Sequence, residues 1–345
     1  MANGDVSSVS RLGQINATGG SYANDNSLFL KVFANEVLTT FEEFNVMKSL
    51  HTVRTISSGK SAQFPVTGIA TAKYHTVGED ILESDAGYTS QIKHAEKIIN
   101  IDDVLLASTF IANIDEMKNH YDVRSIYAKE LGKALAKRFD IATMKTLAAA
   151  AGQSATITNG NGGISITATD GDDAGSNVFD TAGDIIATLT TMAQKLDEND
   201  VPSDGRFVIL KPADYYKLLG SNSQAINKDF TTNNGDLNSG RVAQIAGIDI
   251  YKSNHLNDIA VADASQDQDD DNARNEVHAS GGDGYNANLS TLKALGGHTA
   301  AIGTVKLMDL TTESEYIMTK QGTALVAKYA MGHGVLRPEC AVKIV

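Results

Sequence analysis

The sequence predicts an α+β fold built from one long helix, one long hairpin and a lobe of alternating helices and strands. Apolar residues recur at steps of three and four from about Ile114 to Ala151, which is the period of a helix face. Two extended stretches, Ser61 to Val66 and His94 to Ile101, flank a polar region and predict the hairpin. After Thr181, helical and strand patterns alternate, as they do in a mixed α/β lobe.

The N-terminal segment changes character at Ser27. Residues 1–26 are rich in Ser, Asn, Gly and Ala without a hydrophobic period, which predicts a mobile or partner-ordered tail. From Ser27 the apolar residues, including Leu28, Phe29 and Phe33, are spaced as one helical face requires. An ordinary core helix is one interpretation of this pattern.

The hairpin is long for a two-stranded unit. Two strands alone are marginally stable in water, so this hairpin should rest on another molecule or fold back on its own domain. Gly59 is predicted to bend the chain at the hairpin base, and Lys60 to be exposed or paired across an interface. The run Ser57 to Ser61 matches the end of a phosphate-binding loop, but that motif requires a glycine where Arg54 stands. We therefore exclude nucleotide binding there.

The long helix is predicted to end at Gly152. On this helix Lys129, Lys133 and Lys137 form a row at i, i+4 spacing, and their like charges cost roughly 0.2–0.5 kcal/mol per pair. Such a row is usually solvated. If it is functional, we expect it to meet acidic groups of another subunit.

The region after the long helix begins with a polar stretch. Residues 152–183 are rich in Gly, Asn, Thr and Asp, which predicts a flexible connector or a surface hairpin. Asp180 or Thr181 then suits the N-cap of a helix. The apolar positions predict that helix, a strand, a short helix after Pro212 and a second strand; they are Ile185, Leu189, Met192, Leu196, Phe207–Leu210 and Ile248–Lys252.

The C-terminal part begins with a second polar insertion at residues 257–290. Two strands are predicted after it, at Thr304–Leu310 and Thr323–Ala330. His333 lies between two glycines, and because glycine reaches backbone angles closed to other residues, we predict a turn there.

Composition limits the partners of the chain. At 345 residues, two lobes or one elaborated domain are expected. The formal net charge of −13 disfavours specific binding to nucleic acid or to an anionic membrane. Cys340 is the single cysteine, so we expect neither an intrachain disulfide nor a cysteine-based metal cluster. Without a signal-like segment or an apolar run of about eighteen residues, we expect neither secretion nor a membrane span.

Motifs for catalysis and metal binding are incomplete. Asp267, Asp269 and Asp271 have the opening spacing of a calcium loop, but Asn272 and His278 replace its glycine and its closing glutamate. An acidic solvated loop explains this run better. The eight histidines have no metal-binding helical spacing, and no nucleophile-elbow motif is present. We predict no catalytic site, metal or cofactor, although an enzyme site assembled from distant residues stays an alternative.

Five stretches follow one order along the chain: Leu28–Phe33, Ser58–Val66, Asn119–Ser125, Gly303–Leu307 and Lys328–Glu339. Together they resemble the major capsid proteins of short-tailed bacteriophages of the Autographivirus group. Subunits of that family have the Hong Kong 97-type coat fold, with an N-terminal arm, an extended loop, a long spine helix and an axial lobe.

The resemblance implies a structural subunit, not an enzyme, that forms hexamers and pentamers of an icosahedral virion shell around double-stranded DNA. It further implies assembly in the host cytoplasm on a scaffolding protein around a portal, with later expansion. DNA would be enclosed without specific binding, and no membrane would take part. A secreted or surface-layer adhesin, suggested by the acidic Thr-, Asn- and Gly-rich insertions, is the alternative.

The same resemblance divides the chain into four parts. These are the N-terminal tail and arm (1–53), the extended hairpin loop (54–100), the peripheral domain with the spine helix (101–155 and 311–345) and the axial domain with polar insertions (156–310). The candidates for inter-subunit contact are Leu28, Phe29, Phe33, Arg54, Lys60, Phe64, Lys129, Lys133 and Lys137. The candidate hinges are Gly59, Gly132 and Gly152.

Overall fold

The computed structural model describes residues 45–68, 70, 72–82, 94–101, 104–113, 123–157, 160–168, 179–220, 235–236, 241–242, 244–259, 289 and 291–345. The chain forms two compact units. The first unit comprises Met1–Asn45, Asp103–Phe139 and Met308–Met331, and the second comprises Val46–Asp102, Asp140–Leu307 and Gly332–Val345.

Four helices and fourteen strands can be defined in the described part of the chain. The helices are α1 (Val123–Ala150), α2 (Ala182–Glu198), α3 (Pro212–Gly220) and α4 (His255–Ile259). The strands are β1 (Thr52–Thr55), β2 (Ser61–Thr67), β3 (His94–Asn100), β4 (Leu105–Ala112), β5 (Ile164–Ile166), β6 (Arg206–Leu210), β7 (Gly235–Asp236), β8 (Arg241–Val242), β9 (Gln244–Ile245), β10 (Ile248–Lys252), β11 (Ala294–His298), β12 (Ile302–Ile317), β13 (Gly322–Val335) and β14 (Ala341–Ile344). Met47–Ser49 and Pro338–Cys340 form short 3-10 helices.

The first unit is built on an antiparallel pairing. Strand β4 pairs with β13, from Gly322 opposite Ala112 to Tyr329 opposite Leu105. The ring of Phe139, at the end of this unit's part of α1, meets the ring of Tyr329 edge-on at 6.4 Å between centroids. Such an aromatic pair adds about 0.5–1.5 kcal/mol beyond the burial of its surface.

The second unit contains a six-stranded mixed sheet in the order β5-β14-β11-β6-β10-β9. All five residues of β6 are buried, which is typical of a central strand covered on both faces. Helix α2 covers the sheet with apolar side chains at helical spacing, and burial of each contributes about 1.5–3 kcal/mol. The fully buried ones are Ile185, Leu189, Met192 and Leu196.

Helix α2 begins where the sequence predicts a cap. Thr181 accepts a hydrogen bond from the backbone N–H of Asp184, and the Asp184 carboxylate accepts one from the backbone N–H of Thr181. This reciprocal capping box satisfies N–H groups that the first turn of a helix leaves without partners. The predictions of α2, β6, α3 and β10 are confirmed.

The predicted hairpin is confirmed as the antiparallel pair β2–β3, with Ser61 opposite Asn100 and Thr67 opposite His94. The backbone N–H of Ile101 donates to the carbonyl of Lys60 and closes the root of the hairpin. The predicted long helix is confirmed as α1, and Gly152 lies in the turn that follows it. Its predicted beginning, near residue 114, lies outside the described residues.

Two predictions for the second unit are wrong. Part of the predicted connector, Ile164–Ile166, is strand β5, which pairs in parallel with β14 and buries both isoleucines. The alternation of apolar and polar residues in this short stretch is the strand signal, and the surrounding Gly, Asn and Thr masked it.

His333 is not in a turn but within strand β13. A Cβ atom at Gly332 would lie 1.9 Å from the carbonyl oxygen of Asn100, and one at Gly334 would lie 2.6 Å from the side chain of Ile99. The two glycines are therefore required by close packing against β3, not by special backbone angles. Strands β12 and β13 are also longer than predicted.

Candidate functional site

A chain of polar groups runs through the interior of the second unit. Asp140, on α1, accepts hydrogen bonds from the backbone N–H groups of Val46 at 3.0 Å and Met47 at 3.1 Å. His255, at the start of α4, bonds the same carboxylate through Nδ1 at 3.0 Å. The Asp140 carboxylate is completely buried, and it joins α1, α4 and the Met47–Ser49 turn.

The chain continues through two histidines that share one hydroxyl. His51 Nδ1 lies 2.6 Å from the carbonyl of Met47, and its Nε2 lies 2.7 Å from Thr304 Oγ1. His333 Nδ1 lies 2.8 Å from the same hydroxyl oxygen. We call His255, Asp140, Met47, His51, Thr304 and His333 the buried polar chain.

The positions of the protons in this chain follow from its geometry. A carbonyl can only accept, so Nδ1 of His51 carries a proton and donates it to Met47. In neutral His51 the other nitrogen, Nε2, is an acceptor, and the hydroxyl of Thr304 donates to it. The oxygen of Thr304 then accepts from Nδ1 of His333. Each of these hydrogen bonds then has one donor and one acceptor, and a proton on Nε2 of His51 would remove the acceptor of the Thr304 hydroxyl.

The surroundings of both histidines favour the neutral form. Burial and, to a smaller extent, the neighbouring His51 together lower the pKa of His333 to about 3. Burial also lowers the pKa of His51; the bond to Met47 and the charge of Asp140 oppose this shift, whereas Lys306 adds to it. Removal from water penalises a cation more than a neutral ring.

Thr304 and His51 have the spacing of a nucleophile and its base, but they are sealed inside the protein. Thr304 is 1% exposed and His51 is 7% exposed, and a substrate needs access to both. Within the described ranges, no group of three His, Cys, Asp or Glu side chains could hold a metal ion. Burial raises the pKa of Cys340 to about 11, so its thiol is protonated and inert at neutral pH.

Arg54, on strand β1, contacts strand β2 at the root of the hairpin. Its guanidinium donates to the carbonyl of Gln63 at 2.8 Å and lies 5.4 Å from the centre of the Phe64 ring. Gly59, between the two strands, has a φ of +115°, which favours glycine. Lys60 is exposed. Of the hairpin candidates, Arg54 and Phe64 thus contact each other.

The segment between β2 and β3 exposes large apolar side chains. Within residues 72–82, Tyr74 is 97% exposed, Val77 96% and Leu82 82%. We call residues 72–82 the hairpin tip. Large apolar side chains that are this exposed make the hairpin tip a candidate surface for contact with another molecule.

A cleft of about 480 Å³ lies beside the hairpin root within the second unit. Strand β2 lines one part of it with Phe64, Pro65 and Val66, and Asn199 and Leu336 contribute to the remaining wall. The mixed lining offers both apolar surface and amide groups.

The remaining candidates lie on α1 or beyond the described residues. Lys133 forms an ion pair with Glu130 at 2.9 Å, while Lys129 and Lys137 are exposed. Gly132 is buried within α1. Leu28, Phe29 and Phe33, and the acidic run Asp267, Asp269 and Asp271, lie outside the described residues.

The buried polar chain was missed from the sequence, because its members come from distant segments. Val46 and Asp140 are 94 positions apart, and His51 and Thr304 are 253 apart. One signal was present: Asp140 lies four residues after Ala136 and four before Met144, on an apolar face of the helical pattern. A charged residue on such a face is a candidate for a buried, fully bonded group.

Comparison with known proteins identifies the family. A family model described as Gp10A-like major capsid protein matches residues 63–345. The chain belongs to this family. The major capsid protein of Enterobacteria phage T3 is 34% identical to this Gp10A-like chain over 357 residues, covering 100% of the chain and 98% of that protein. That of Escherichia phage T7 is 35% identical over 327 residues, covering 92% of each.

A solved structure extends the family match to the fold. The capsid structure of the cyanophage P-SCSP1u is 38% identical in sequence, with a TM-score of 0.70 and coverage of 97% of each chain. This Gp10A-like major capsid protein therefore has the Hong Kong 97-type fold and is a subunit of a phage virion shell, as the resemblance predicted. Its relatives are structural proteins, and the adhesin alternative has no support. No helix of the described part is long and apolar enough to cross a membrane.

Proposed function

We propose that this capsid subunit assembles into hexamers and pentamers of an icosahedral shell, with the hairpin as a main contact between neighbours. The observation that carries the proposal is the hairpin tip, where Tyr74, Val77 and Leu82 are almost fully exposed. Covering one such side chain contributes about 1.5–3 kcal/mol. The same modest contact, repeated at every subunit, makes a closed shell stable while single contacts stay reversible.

The proposal extends to the partners of assembly. A scaffolding protein and a portal would direct shell closure, and double-stranded DNA would fill the shell without specific binding. The net charge of −13 supports weak contact with DNA, because phosphates are bound by clustered Lys and Arg. The four-part division of the chain and the contact candidates on its arm, hairpin and helix stay predictions within this scheme. No catalytic role is assigned to the chain.

Expression of the chain with and without its scaffold tests the assembly. Sedimentation of the soluble fraction and negative-stain electron microscopy are expected to show closed shells or capsomer rings. A monomer that persists at high concentration with scaffold present would contradict the proposal.

Replacing Leu82 by Asp should abolish or strongly reduce shell formation. Loss of about 1.5–3 kcal/mol at each contact corresponds to a roughly tenfold or greater fall in affinity. The free subunit should keep its stability, because Leu82 is exposed. Shell yield by sedimentation and unfolding of the free subunit in urea are the two measurements.

Leu82→Met is the matched control for this substitution. It keeps the apolar surface and should assemble normally. Equal shell yields from the Asp and Met variants would show that the hairpin tip does not contribute to assembly.

Replacing Gly59 by Val should impair assembly or expansion of the shell. A β-branched residue is strained at a φ of +115°, and the nearest atom, the Ser61 carbonyl oxygen, lies 3.9 Å from a Cβ atom there, so the effect comes from backbone angles. Gly247→Val introduces comparable strain at a φ of +75° in open space. Particle yield and diameter should change only in the Gly59 variant; normal particles would argue against a hinge at this position.

A further inference from the structure

Three consecutive residues at the end of β13 contact two different parts of the second unit. Gly332 and Gly334 face the hairpin root, where their missing side chains leave room for Asn100 and Ile99 of β3. His333, between them, bonds Thr304 in the buried polar chain. Successive residues of a strand point to opposite faces, so one short segment holds the hairpin on one side and the histidines on the other.

We propose that the Gly332–His333–Gly334 segment is an acid-sensitive latch: it holds the hairpin root while His51 and His333 are neutral, and it loosens the root when they bind protons. The latch is distinct from the contacts that the hairpin makes with other subunits. An effect of the latch on contacts between subunits rests on the proposed function, whereas the loosening of the hairpin root does not.

The chemical basis is the single proton of the Thr304 hydroxyl. When a proton from solvent binds Nε2 of His51, that nitrogen becomes a donor, and the Thr304 oxygen can accept from both rings through its two lone pairs. The hydroxyl proton then loses its acceptor, so the hydrogen bonds around Thr304 must rearrange. A proton on His333 instead leaves its bond to Thr304 in place but puts a cation beside His51, at a site where burial disfavours charge.

In the described part of the chain, Asp140 and Lys306 act on His51, and His51 acts on His333. Asp140 acts on His51 through space and favours its cation, and Lys306 opposes it. Asp140 is itself held by His255 and by the backbone of the Met47–Ser49 turn. The carboxylate therefore moderates the response of His51, whereas His333 is influenced by burial and by His51.

The direction of the pH effect follows from these shifts. The pKa of His333 is about 3 in the folded protein, below its ordinary value of 6.5, so the unfolded or opened segment binds protons more readily. The stability due to the neutral ring is complete above pH 6.5 and is lost as the pH falls from 6.5 towards 3. Within this window each pH unit favours the open form by up to about tenfold per histidine.

As the pH falls, the hairpin root should open before the centre of the six-stranded sheet does. Glycine has no side chain that could adjust, so a displacement of residues 332–334 is transmitted directly to Asn100 and Ile99. Strand β6 is buried in the middle of the six-stranded sheet and serves as an internal reference.

Hydrogen exchange on the unassembled full-length subunit tests the latch. Protection of backbone amides, corrected for the intrinsic effect of pH, is compared at about pH 7.5 and about pH 4.5. We expect the protection of the root, including the Ile101 N–H that bonds Lys60, to fall roughly tenfold or more relative to β6. Because no neighbouring subunit is present, a failure of the hairpin as a shell contact would leave this result unaffected.

Two variants locate the effect. His333→Asn keeps an N–H group towards Thr304 but does not titrate, so its root should lose much less protection on acidification. His94→Asn makes the same substitution at an exposed position on β3 and should behave as the wild type does.

Two results would overturn the latch. One is a root and a β6 strand that lose protection equally in the wild type. The other is a His333→Asn variant whose root loses as much as the wild-type root. Should that variant fail to fold, the comparison within the wild type decides alone.

Discussion

Replacing Asp140 by Ala should lower the free energy of unfolding of the subunit by about 3 kcal/mol or more. The substitution leaves the N–H groups of Val46 and Met47, and the ring of His255, without their acceptor. Each buried donor left without a partner costs roughly 1–3 kcal/mol. Urea unfolding followed by circular dichroism measures the change.

Two further substitutions calibrate this result. Asp140→Asn keeps one acceptor oxygen and should lose less than the Ala variant does. Glu130→Ala removes an exposed carboxylate from the same helix, where its ion pair with Lys133 is solvated, and should cost less than about 1 kcal/mol. If the Asp140 and Glu130 variants were equally stable, the buried polar chain would have no structural importance.

Replacing Gly332 by Ala should be the most damaging single-methyl substitution at the hairpin root. The new Cβ atom would lie 1.9 Å from the carbonyl oxygen of Asn100 and 2.9 Å from Cα of Ile101, so backbone atoms must move. Overpacking of this kind costs about 1–3 kcal/mol and sometimes more. The expected result is a less stable subunit whose β3 amides exchange faster, measured by urea unfolding and hydrogen exchange.

Gly183→Ala is the matched control. Gly183 is exposed near the start of α2, and the nearest atom to an added Cβ is Thr181 Oγ1 at an ordinary 3.6 Å. Alanine is favoured over glycine in a helix by about 0.5–1 kcal/mol, so this variant should be unchanged or slightly more stable. A Gly332 variant as stable as this control would refute the close approach of β3 to β13.

The described candidates for contact between subunits lie at the hairpin root and on α1. The candidates Arg54 and Phe64 contact each other at the hairpin root, and the lysines of α1 lie at or near the surface. Their roles between subunits, and those of the hinge candidates Gly132 and Gly152, stay predictions. An inter-subunit contact depends on a second molecule, and sequence patterns report only how exposed a residue is.

Elements with local signals could be predicted from the amino-acid sequence. Helix α2 has its cap at Thr181 and its apolar face within seventeen residues, and Phe207–Leu210 of β6 form a continuous apolar run. The hairpin strands and the end of α1 were found in the same way, because periodicity, caps and turns depend on neighbours along the chain. The five short stretches also sufficed to indicate the capsid family.

Groups that bond or pack against each other across long sequence separations are brought together by the folded structure, and no local pattern predicts them. The close approach of Asn100 is the reason that residue 332 must be glycine. The buried carboxylate of Asp140 is satisfied by donors from Met47 and His255. From the sequence, His333 between two glycines indicated a turn, and the structure places it in a strand. The physical reason is that a close packing contact and a left-handed turn both demand glycine, and only the position of the distant partner distinguishes them.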